Sequence, residues 1–140
     1  MQKDPTGWSV EFFKGNEEAL PVRDWMLGLP EEVRGKLIAR IQLLKDHGPS
    51  LDFPYTSQIE GRLRDLRLRL GKTRYRVLYF FDDRRTCILL NGFAKNTEAV
   101  PPPEIRLALH RMIAHESRGH GSKQGQSGKQ EPRGSGREKR

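Results

Sequence analysis

The sequence predicts an α+β domain in which helices pack on a small antiparallel sheet. Three observations favour this class. A strand pattern near the start is followed by two stretches with apolar residues at helical spacing. Three strand patterns then follow one another across short turns, and a last helical pattern follows the prolines at residues 101–103. The predicted order is therefore strand, two helices, three-strand meander and C-terminal helix.

The first half of the chain predicts one strand and a helical hairpin. Residues 8–14 alternate between outward and inward side chains, as a strand does. Pro21 suits the first turn of one helix, and Pro30 begins a longer helix that ends at Gly48. The apolar stripes of these helices are Val22, Trp25, Met26 and Leu29, then Val33, Leu37, Ile41 and Leu44. Residues 50–61 show no clear period, so we expect a loop there that lines a cleft.

The second half predicts the meander and the last helix. Leucines alternate with charged residues toward the end of residues 63–70, so one face is apolar and the other is charged. Residues 73–81 form the next strand, with the odd-numbered residues 75–81 on one side and Arg74, Arg76, Leu78 and Phe80 on the other. Residues 86–94 are apolar on both faces, as an interior strand is. The apolar stripe of the last helix is Ile105, Leu109, Met112 and Ile113.

Composition predicts one domain, residues 1–116, followed by a disordered basic tail, residues 117–140. The chain has 140 residues and a formal net charge of +8. The tail contains no aliphatic side chain and no Phe, Tyr or Trp, so it cannot bury enough surface to offset the entropy of ordering. A basic tail adds weak, salt-sensitive attraction to nucleic acid; a purely solubilising tail is the alternative.

Several kinds of site are not found in the sequence. It has no Gly-rich phosphate loop, no His-x-x-x-His or Cys-x-x-Cys spacing and no recognisable Ser, His and Asp set, so no metal or cofactor is expected. Cys87 stands alone in an apolar run and is expected to be buried, whereas the four scattered histidines are expected at the surface. No signal peptide opens the sequence and no apolar run could cross a bilayer, so we expect a cytoplasmic protein without a membrane partner.

A cluster of cations is the strongest sign of function. Residues 62–76 hold seven Lys or Arg residues and one acid, Asp65. The seven are Arg62, Arg64, Arg67, Arg69, Lys72, Arg74 and Arg76. Guanidinium groups match phosphate oxygens bidentately, so this hairpin is a candidate for contact with an RNA or DNA backbone. The alternative is a solvated face whose charge discourages edge-to-edge pairing of sheets.

The cations of the meander are candidates for catalysis as well as binding. Arg67, Arg69 and Arg76 are expected to form a cationic floor, with Lys95 at its edge. Such a floor binds a phosphodiester and stabilises the extra negative charge of the transition state for its cleavage. Lys95, unlike an arginine, is able to exchange a proton; an ordinary exposed lysine is the alternative. This role requires a shared hollow in which no carboxylate of the same chain neutralises these groups.

Four strings of the sequence resemble a toxin family. They are Leu-Arg-Leu-Arg at residues 66–69, Tyr-Arg-Val-Leu-Tyr-Phe-Phe-Asp at 75–82, Ile-Leu-Leu-Asn-Gly-Phe-Ala-Lys-Asn-Thr at 88–97 and Pro-Glu-Ile at 103–105. They resemble the RelE/HigB-like toxins of type II toxin–antitoxin systems, above all the phage-derived Gp49-like branch, over about residues 8–115. The resemblance implies a RelE-like fold and metal-independent cleavage of mRNA, commonly in the ribosomal A site. It also implies a small antitoxin, expected to be a helix-turn-helix protein.

The resemblance implies roles for individual residues. Arg76 would bind and stabilise the scissile phosphate, and Arg67 and Arg69 would hold neighbouring phosphates. Arg74, beside them, is assigned to substrate binding, and Lys95 would supply charge or a proton. The implied reaction is attack of a ribose 2′-hydroxyl on the adjacent phosphate, which leaves a 2′,3′-cyclic phosphate or 3′-phosphate and a 5′-hydroxyl.

The chain also departs from the branch, and other functions fit the same pattern. Members often have a histidine at the position of Asn91 and a second lysine at that of Asn96. One alternative is a gyrase-poisoning toxin of the related ParE type. The other is a nucleic-acid-binding module without catalysis, a degenerate phage remnant.

Overall fold

The secondary structure follows the predicted order, with one additional strand. A computed structural model describes residues 7–124, with side chains as far as residue 118. The elements are β1 (Ser9–Phe12), α1 (Pro21–Leu27), α2 (Glu31–His47), β2 (Thr56–Glu60), β3 (Leu63–Leu70), β4 (Thr73–Phe81), β5 (Thr86–Lys95) and α3 (Pro102–Gln124). Short 3-10 turns occupy Asn16–Glu18 and Gly48–Ser50. The α+β class is confirmed.

The five strands form one mixed sheet in the order β1-β5-β4-β3-β2. Strands β2 to β5 pair antiparallel, but β1 pairs parallel with β5, with Ser9 opposite Thr86. The prediction of a purely antiparallel sheet is therefore wrong. Tight turns force antiparallel pairing within the meander, whereas β1 is separated from its neighbour by the helical hairpin and most of the sheet, so no turn sets its direction.

The prediction of a loop throughout residues 50–61 is also wrong, because these residues include β2. This strand pairs with β3, with Thr56 opposite Leu66. Its sequence is mostly polar because it lies at the edge of the sheet, so hydrophobic alternation does not reveal it. The backbone N–H and hydroxyl of Ser57 both donate to the buried Asp65 carboxylate of β3, which fixes the pairing.

The sheet is the middle layer between α1 and α2 on one face and α3 on the other. On β4, Val77 and Tyr79 belong to the core under α1 and α2, and Leu78 and Phe80 to the core under α3. This alternation is the predicted one. Gly92 of β5 lies against the Trp25 ring of α1, and a Cβ atom there would overlap that ring. The core under α1 and α2 includes Val22, Met26, Val33, Leu37, Leu44 and Cys87, and that under α3 includes Leu63, Ile88, Leu90, Ala108 and Met112.

The last helix continues past the predicted domain boundary. The boundary at residue 116 falls inside α3, which extends to Gln124, and residues 125–140 of the predicted tail lie outside the described residues. Arg118 explains part of this extension. Its guanidinium donates to the Lys14 carbonyl at 2.6 Å and packs over the Phe13 ring. Among the described helices, none combines the length and apolarity that crossing a bilayer requires.

Candidate nucleic-acid interface

Strand register brings the predicted site residues onto one face of the sheet. Arg67 lies opposite Arg76, Arg69 opposite Arg74, and Arg74 opposite Lys95. Residues directly opposite each other in neighbouring antiparallel strands share a face, so all five side chains project from the side of the sheet that carries α3. Like charges in this position destabilise strand pairing unless an anion offsets them. The arrangement therefore requires either internal acids or an anionic ligand.

A cavity of about 260 Å³ lies over these arginines. It forms at the end of the sheet where β3 continues beyond β2, whose first residue, Thr56, pairs with Leu66. The loop before β2 and the segment after β5 supply the remaining walls. The lining residues are Arg40, Phe53, Pro54, Tyr55, Arg67, Leu68, Arg69, Arg74, Arg76 and Glu98. Lys95 is exposed beside Arg74 and is not among them.

Arg76 is the buried floor of this cavity. Its side chain is only 5% exposed, and its Nη1 donates to Oδ2 of the fully buried Asp65 at 2.9 Å. Its Nη2 donates to the Glu98 carbonyl oxygen, also at 2.9 Å. The expectation that no carboxylate of the chain neutralises these cations is wrong, because Asp65 pairs with Arg76 and Glu98 pairs with Arg67 and Arg74. A guanidinium as deep as that of Arg76 requires a counter-charge. Asp65, already the single acid in the predicted cluster, supplies it.

Glu98 lies across the mouth of the cavity. Its carboxylate pairs with Arg67 at 3.5 Å and with Arg74 at 3.2 Å, and its own side chain is 71% exposed. Arg67 and Arg74 are about one-fifth exposed or less, at 20% and 17%. A single solvated carboxylate thus bridges two half-buried guanidinium groups. The sequence did not indicate this contact, since Glu98 lies outside the basic hairpin.

Three of the seven clustered cations lie elsewhere. Arg62 pairs with Glu116 of α3 at 2.7 Å. Arg64 points to the opposite face of the sheet, where it donates to Thr56 Oγ1 at 2.9 Å. Lys72 is exposed in the turn between β3 and β4. The cations of the hairpin are therefore divided between different places, and four of its arginines line the cavity: Arg67, Arg69, Arg74 and Arg76.

Two aromatic side chains and a helix arginine complete the site. The Arg67 guanidinium lies over the Phe53 ring, 5.1 Å from its centroid, and the Arg40 guanidinium lies over the Tyr55 ring at 5.0 Å. Arg40 also donates to the Arg67 carbonyl oxygen. Its place on α2 gave no sequence signal. The sequence did carry a signal for the aromatic residues, because Phe53 and Tyr55 flank Pro54 in a polar loop. We expected only that this loop lines a cleft.

The two positions that depart from the resembled branch have structural partners. Asn91 is buried, and its amide nitrogen donates to the Glu104 carboxylate at 2.9 Å and to the Glu104 carbonyl at 3.2 Å. The Asn96 carbonyl accepts from Arg74 at 2.9 Å. Asn91 thus ties β5 to the first turn of α3. Asn96 uses its backbone, not its side chain, to orient a site arginine.

His115 and Cys87 are titratable residues that do not line the cavity. Within residues 7–124, no three His, Cys, Asp or Glu side chains are grouped so that they could hold a metal ion. His115, expected at the surface, is instead only 16% exposed and pairs with Asp82 at 3.2 Å. Burial raises the pKa of the Cys87 thiol, which agrees with the predicted role of a small core residue.

The match to a family covers the part of the chain that builds this site. The sequence model of the family described as "Phage derived protein Gp49-like (DUF891)" matches residues 24–113. The chain belongs to this family. The predicted resemblance to the Gp49-like branch is thereby confirmed, and the matched residues run from α1 into α3 and include every arginine of the cavity.

A curated relative is also similar to this Gp49-like chain. It is named "Putative toxin HigB2" and comes from Mycobacterium tuberculosis (strain ATCC 25618 / H37Rv). The two sequences are 27% identical over 92 residues, which is 62% of this chain and 42% of the relative. The chain therefore spans less than half the length of this relative.

Proposed function

We propose that this protein is the toxin of a type II toxin–antitoxin pair and that it cleaves mRNA as an endoribonuclease, without a metal, at the ribosome. The observation that carries the proposal is the cavity in which Arg67 and Arg74 share one carboxylate, that of Glu98. A carboxylate and a phosphate offer similar oxygens to a guanidinium. Membership of the Gp49-like family, the name of the HigB2 relative and the resemblance of the sequence to the RelE/HigB-like toxins support the same function.

The proposed reaction is an internal transfer at phosphorus. The ribose 2′-hydroxyl oxygen bonds to the adjacent phosphorus, and the bond from phosphorus to the 5′-oxygen of the next nucleotide breaks. The 2′-hydroxyl gives up a proton and the leaving 5′-oxygen gains one, so the products are a 2′,3′-cyclic phosphate and a 5′-hydroxyl. Charge accumulates on the phosphoryl oxygens in the transition state, and fixed cations on rigid strands stabilise it.

The arginines take different parts in this proposal. Arg67 and Arg74 hold the oxygens of the reacting phosphate once RNA displaces the Glu98 carboxylate, and Arg69 holds a neighbouring phosphate. Arg76 stabilises the scissile phosphate from the floor of the cavity, where Asp65 fixes its orientation. Lys95, next to Arg74 on β5, supplies positive charge or the proton for the leaving oxygen.

The proposed partners follow from this chemistry. The substrate is mRNA, held at the ribosome, which places the activity in the cytoplasm. The second partner is a cognate antitoxin, a small helix-turn-helix protein that covers the basic face or keeps it from RNA. An acidic surface on the antitoxin would complement the cavity arginines, because each like-charge cross-strand pair gains from an added anion.

The test uses a double variant that removes cations without leaving a buried acid unpaired. Arg67→Ala/Arg74→Ala frees only the exposed Glu98, so the fold is expected to survive. Arg23→Ala, which removes an exposed arginine of α1, is the matched control. Each protein is induced in a bacterial host, and growth and messenger length are followed. Purified protein is then mixed with free RNA and with translating ribosomes, and the new RNA ends are mapped.

The wild type and Arg23→Ala are expected to arrest growth and to shorten messages to fragments with 5′-hydroxyl ends. The double variant is expected to lose at least about 100-fold in cleavage rate, as removal of transition-state donors usually does. Equal cleavage by the double variant would contradict the proposal. DNA breaks with intact messages would favour gyrase poisoning, and RNA binding without cleavage on ribosomes would favour a non-catalytic module.

A further inference from the structure

The loop that precedes β2 presents two aromatic rings to solvent beside the cavity. Phe53 is 69% exposed and Tyr55 is 39% exposed. Most of the large apolar side chains in the described part of the chain are buried in one of two cores. Phe53 and Tyr55 belong to neither core, and both line the cavity. Their exposure is therefore unexplained by packing of the fold.

Hydrogen bonds tie this loop to the rest of the fold. The Asp52 carboxylate accepts from the Phe53 N–H at 2.7 Å, and the Asp52 carbonyl accepts from the Tyr55 N–H at 3.0 Å. The buried Thr56 hydroxyl donates to the Leu51 carbonyl at 2.8 Å. Leu51 itself is anchored in the core under α1 and α2. Because the loop is already ordered, a ligand that binds there pays little entropy for ordering it.

Each ring is paired with a guanidinium that belongs to the site. Arg67 lies over Phe53 and Arg40 lies over Tyr55, both at about 5 Å from the ring centroid. The Tyr55 carbonyl also accepts from the Arg67 backbone N–H at 2.8 Å, which joins the loop to β3. Flat aromatic and guanidinium groups are the surfaces on which unpaired nucleobases stack in proteins that bind single-stranded RNA. Arg67, which is proposed to bind phosphate, thus packs directly on the Phe53 ring of this surface.

We infer that Phe53 and Tyr55 form a base-binding subsite, on which the unpaired base of a nucleotide next to the phosphate held by Arg67 and Arg74 stacks. The inference rests on the proposed function, because it takes single-stranded RNA as the ligand. The bases of a duplex are stacked on one another and do not reach such a surface. Phe53, the more exposed ring, carries most of the stacking, and Tyr55, which packs against Arg40, contributes less.

The experiment measures binding to an RNA that the proposed reaction cannot cleave. The probe is a short, dye-labelled, single-stranded RNA that is 2′-O-methylated at every ribose, and a set of matching probes carries one abasic position each. Fluorescence anisotropy gives the dissociation constants of the wild type, Phe53→Ala, Phe53→Leu and Phe53→Trp. The control is Ile113→Ala, which removes an apolar side chain of similar exposure, 65%, from α3.

Stacking predicts a specific pattern of affinities. One abasic position should weaken binding of the wild type by about 5- to 150-fold, the usual effect of losing one stacked base. Phe53→Ala and Phe53→Leu should show a comparable loss on the complete probe and no further loss on that abasic probe. Phe53→Trp should restore binding, because it keeps an aromatic face. Ile113→Ala should bind like the wild type.

Failure of this inference differs from failure of the proposed function. If the wild type cleaves unmodified RNA and Phe53→Ala binds every probe as the wild type does, the subsite is overturned and the nuclease stands. Wild-type affinity in Phe53→Leu would also overturn it, since bulk rather than an aromatic face would then suffice. If probe binding depends on Phe53 and on one base but no RNA is cleaved with ribosomes present, the subsite stands and the nuclease is overturned.

Discussion

The arginines of the cavity differ in how strongly the protein itself already holds them. Arg76 is buried and committed to Asp65, whereas Arg67 and Arg74 share only the exposed Glu98. Exposed ion pairs are worth little because water screens them, but a buried pair cannot lose one partner without leaving an uncompensated charge. A polyanion is therefore able to displace Glu98 at small cost. It is unable to displace Asp65.

Replacing Glu98 with glutamine is expected to tighten RNA binding. The variant removes the anion that competes for Arg67 and Arg74 but keeps the side-chain shape. Because the pair is exposed, the gain should be about two- to fivefold in dissociation constant, measured on the 2′-O-methylated probe. Glu32→Gln, an exposed acid in the first turn of α2, is the control and should change little. Weaker binding by Glu98→Gln would mean that Glu98 assists the ligand rather than competing with it.

Truncation of Arg76 is expected to destabilise the fold and to lower any activity. Arg76→Met leaves the Asp65 carboxylate buried with only Ser57 as a side-chain donor, and should cost about 3–5 kcal/mol in the free energy of unfolding. The double variant Arg76→Met/Asp65→Asn removes the stranded charge and should recover a large part of that loss. Urea denaturation measures both. If the double variant is no more stable than Arg76→Met, the pair is not coupled as its geometry indicates.

At the scale of elements, the turn between β4 and β5 is tied to α3 through one carboxylate. Asp82 accepts from the backbone N–H groups of Arg84 and Thr86, from the Arg84 guanidinium and from His115 of α3. Burial by itself would raise the pKa of Asp82, but these hydrogen bonds outweigh it and hold the pKa below its ordinary value. The ionised form of Asp82 therefore stabilises the native state.

The lowered pKa of Asp82 gives this contribution a definite dependence on pH. A carboxyl group with a lowered folded pKa stabilises fully above its unfolded pKa and loses that contribution as the pH falls through the folded value. Asp82→Asn should therefore cost about 1 kcal/mol in unfolding free energy at pH 7, and the difference should shrink below about pH 4. Urea denaturation from pH 7 to pH 3 checks this, with Glu60→Gln of β2 as the control. A difference that stayed constant over that range would contradict the assignment.

The meander was predictable because its physical signals are local. Alternation in the second half of β3 and along β4 assigns side chains to the two faces, and the short turns require neighbouring strands to run antiparallel. The direction of β1 had no such signal, since a helical hairpin separates it from the rest of the sheet. The strand β2 was missed because an edge strand with one buried position reads as polar sequence. Local sequence patterns thus predicted β3, β4 and β5, which have clear apolar patterns and are joined by short turns.

The candidate site, too, was predictable only where its residues follow a local sequence pattern. The sequence pattern predicted a floor of Arg67, Arg69 and Arg76, with Arg74 on the same side of β4 as Arg76. The register places all four on one face of the sheet. The sequence indicated only one of the two acids that pair with these arginines. Asp65 lies within the hairpin, whereas Glu98 lies in the segment after β5. Arg40 comes from α2 and touches the site only through tertiary packing. Contacts between distant segments were the part that the sequence did not reveal.

The whole chain carries a net charge of +8, and within its described residues the cavity is a place where cations cluster. Five arginines, Arg40 among them, line the cavity, with Lys95 beside it and Glu98 as its acid at the rim. Such a positive region attracts a polyanion over a distance. Its affinity for the polyanion falls steeply as salt is added. Many of the exposed acids lie instead on the helical hairpin, as Glu31 and Glu32 do. This asymmetry would orient RNA toward the cavity rather than toward the helices.

The salt dependence of RNA binding therefore reports how many cations of the cavity contact phosphate. For single strands, the logarithm of the binding constant falls with the logarithm of salt concentration by about 0.7 for each phosphate contact. Removal of Arg74 should make that slope shallower by about 0.7, and removal of both Arg67 and Arg74 by about 1.4, whereas Arg23→Ala should leave it unchanged. Anisotropy titrations of the 2′-O-methylated probe at several salt concentrations give the slopes. Equal slopes in all four proteins would show that RNA is held elsewhere, because an arginine that contacts a phosphate cannot be removed without releasing fewer counterions.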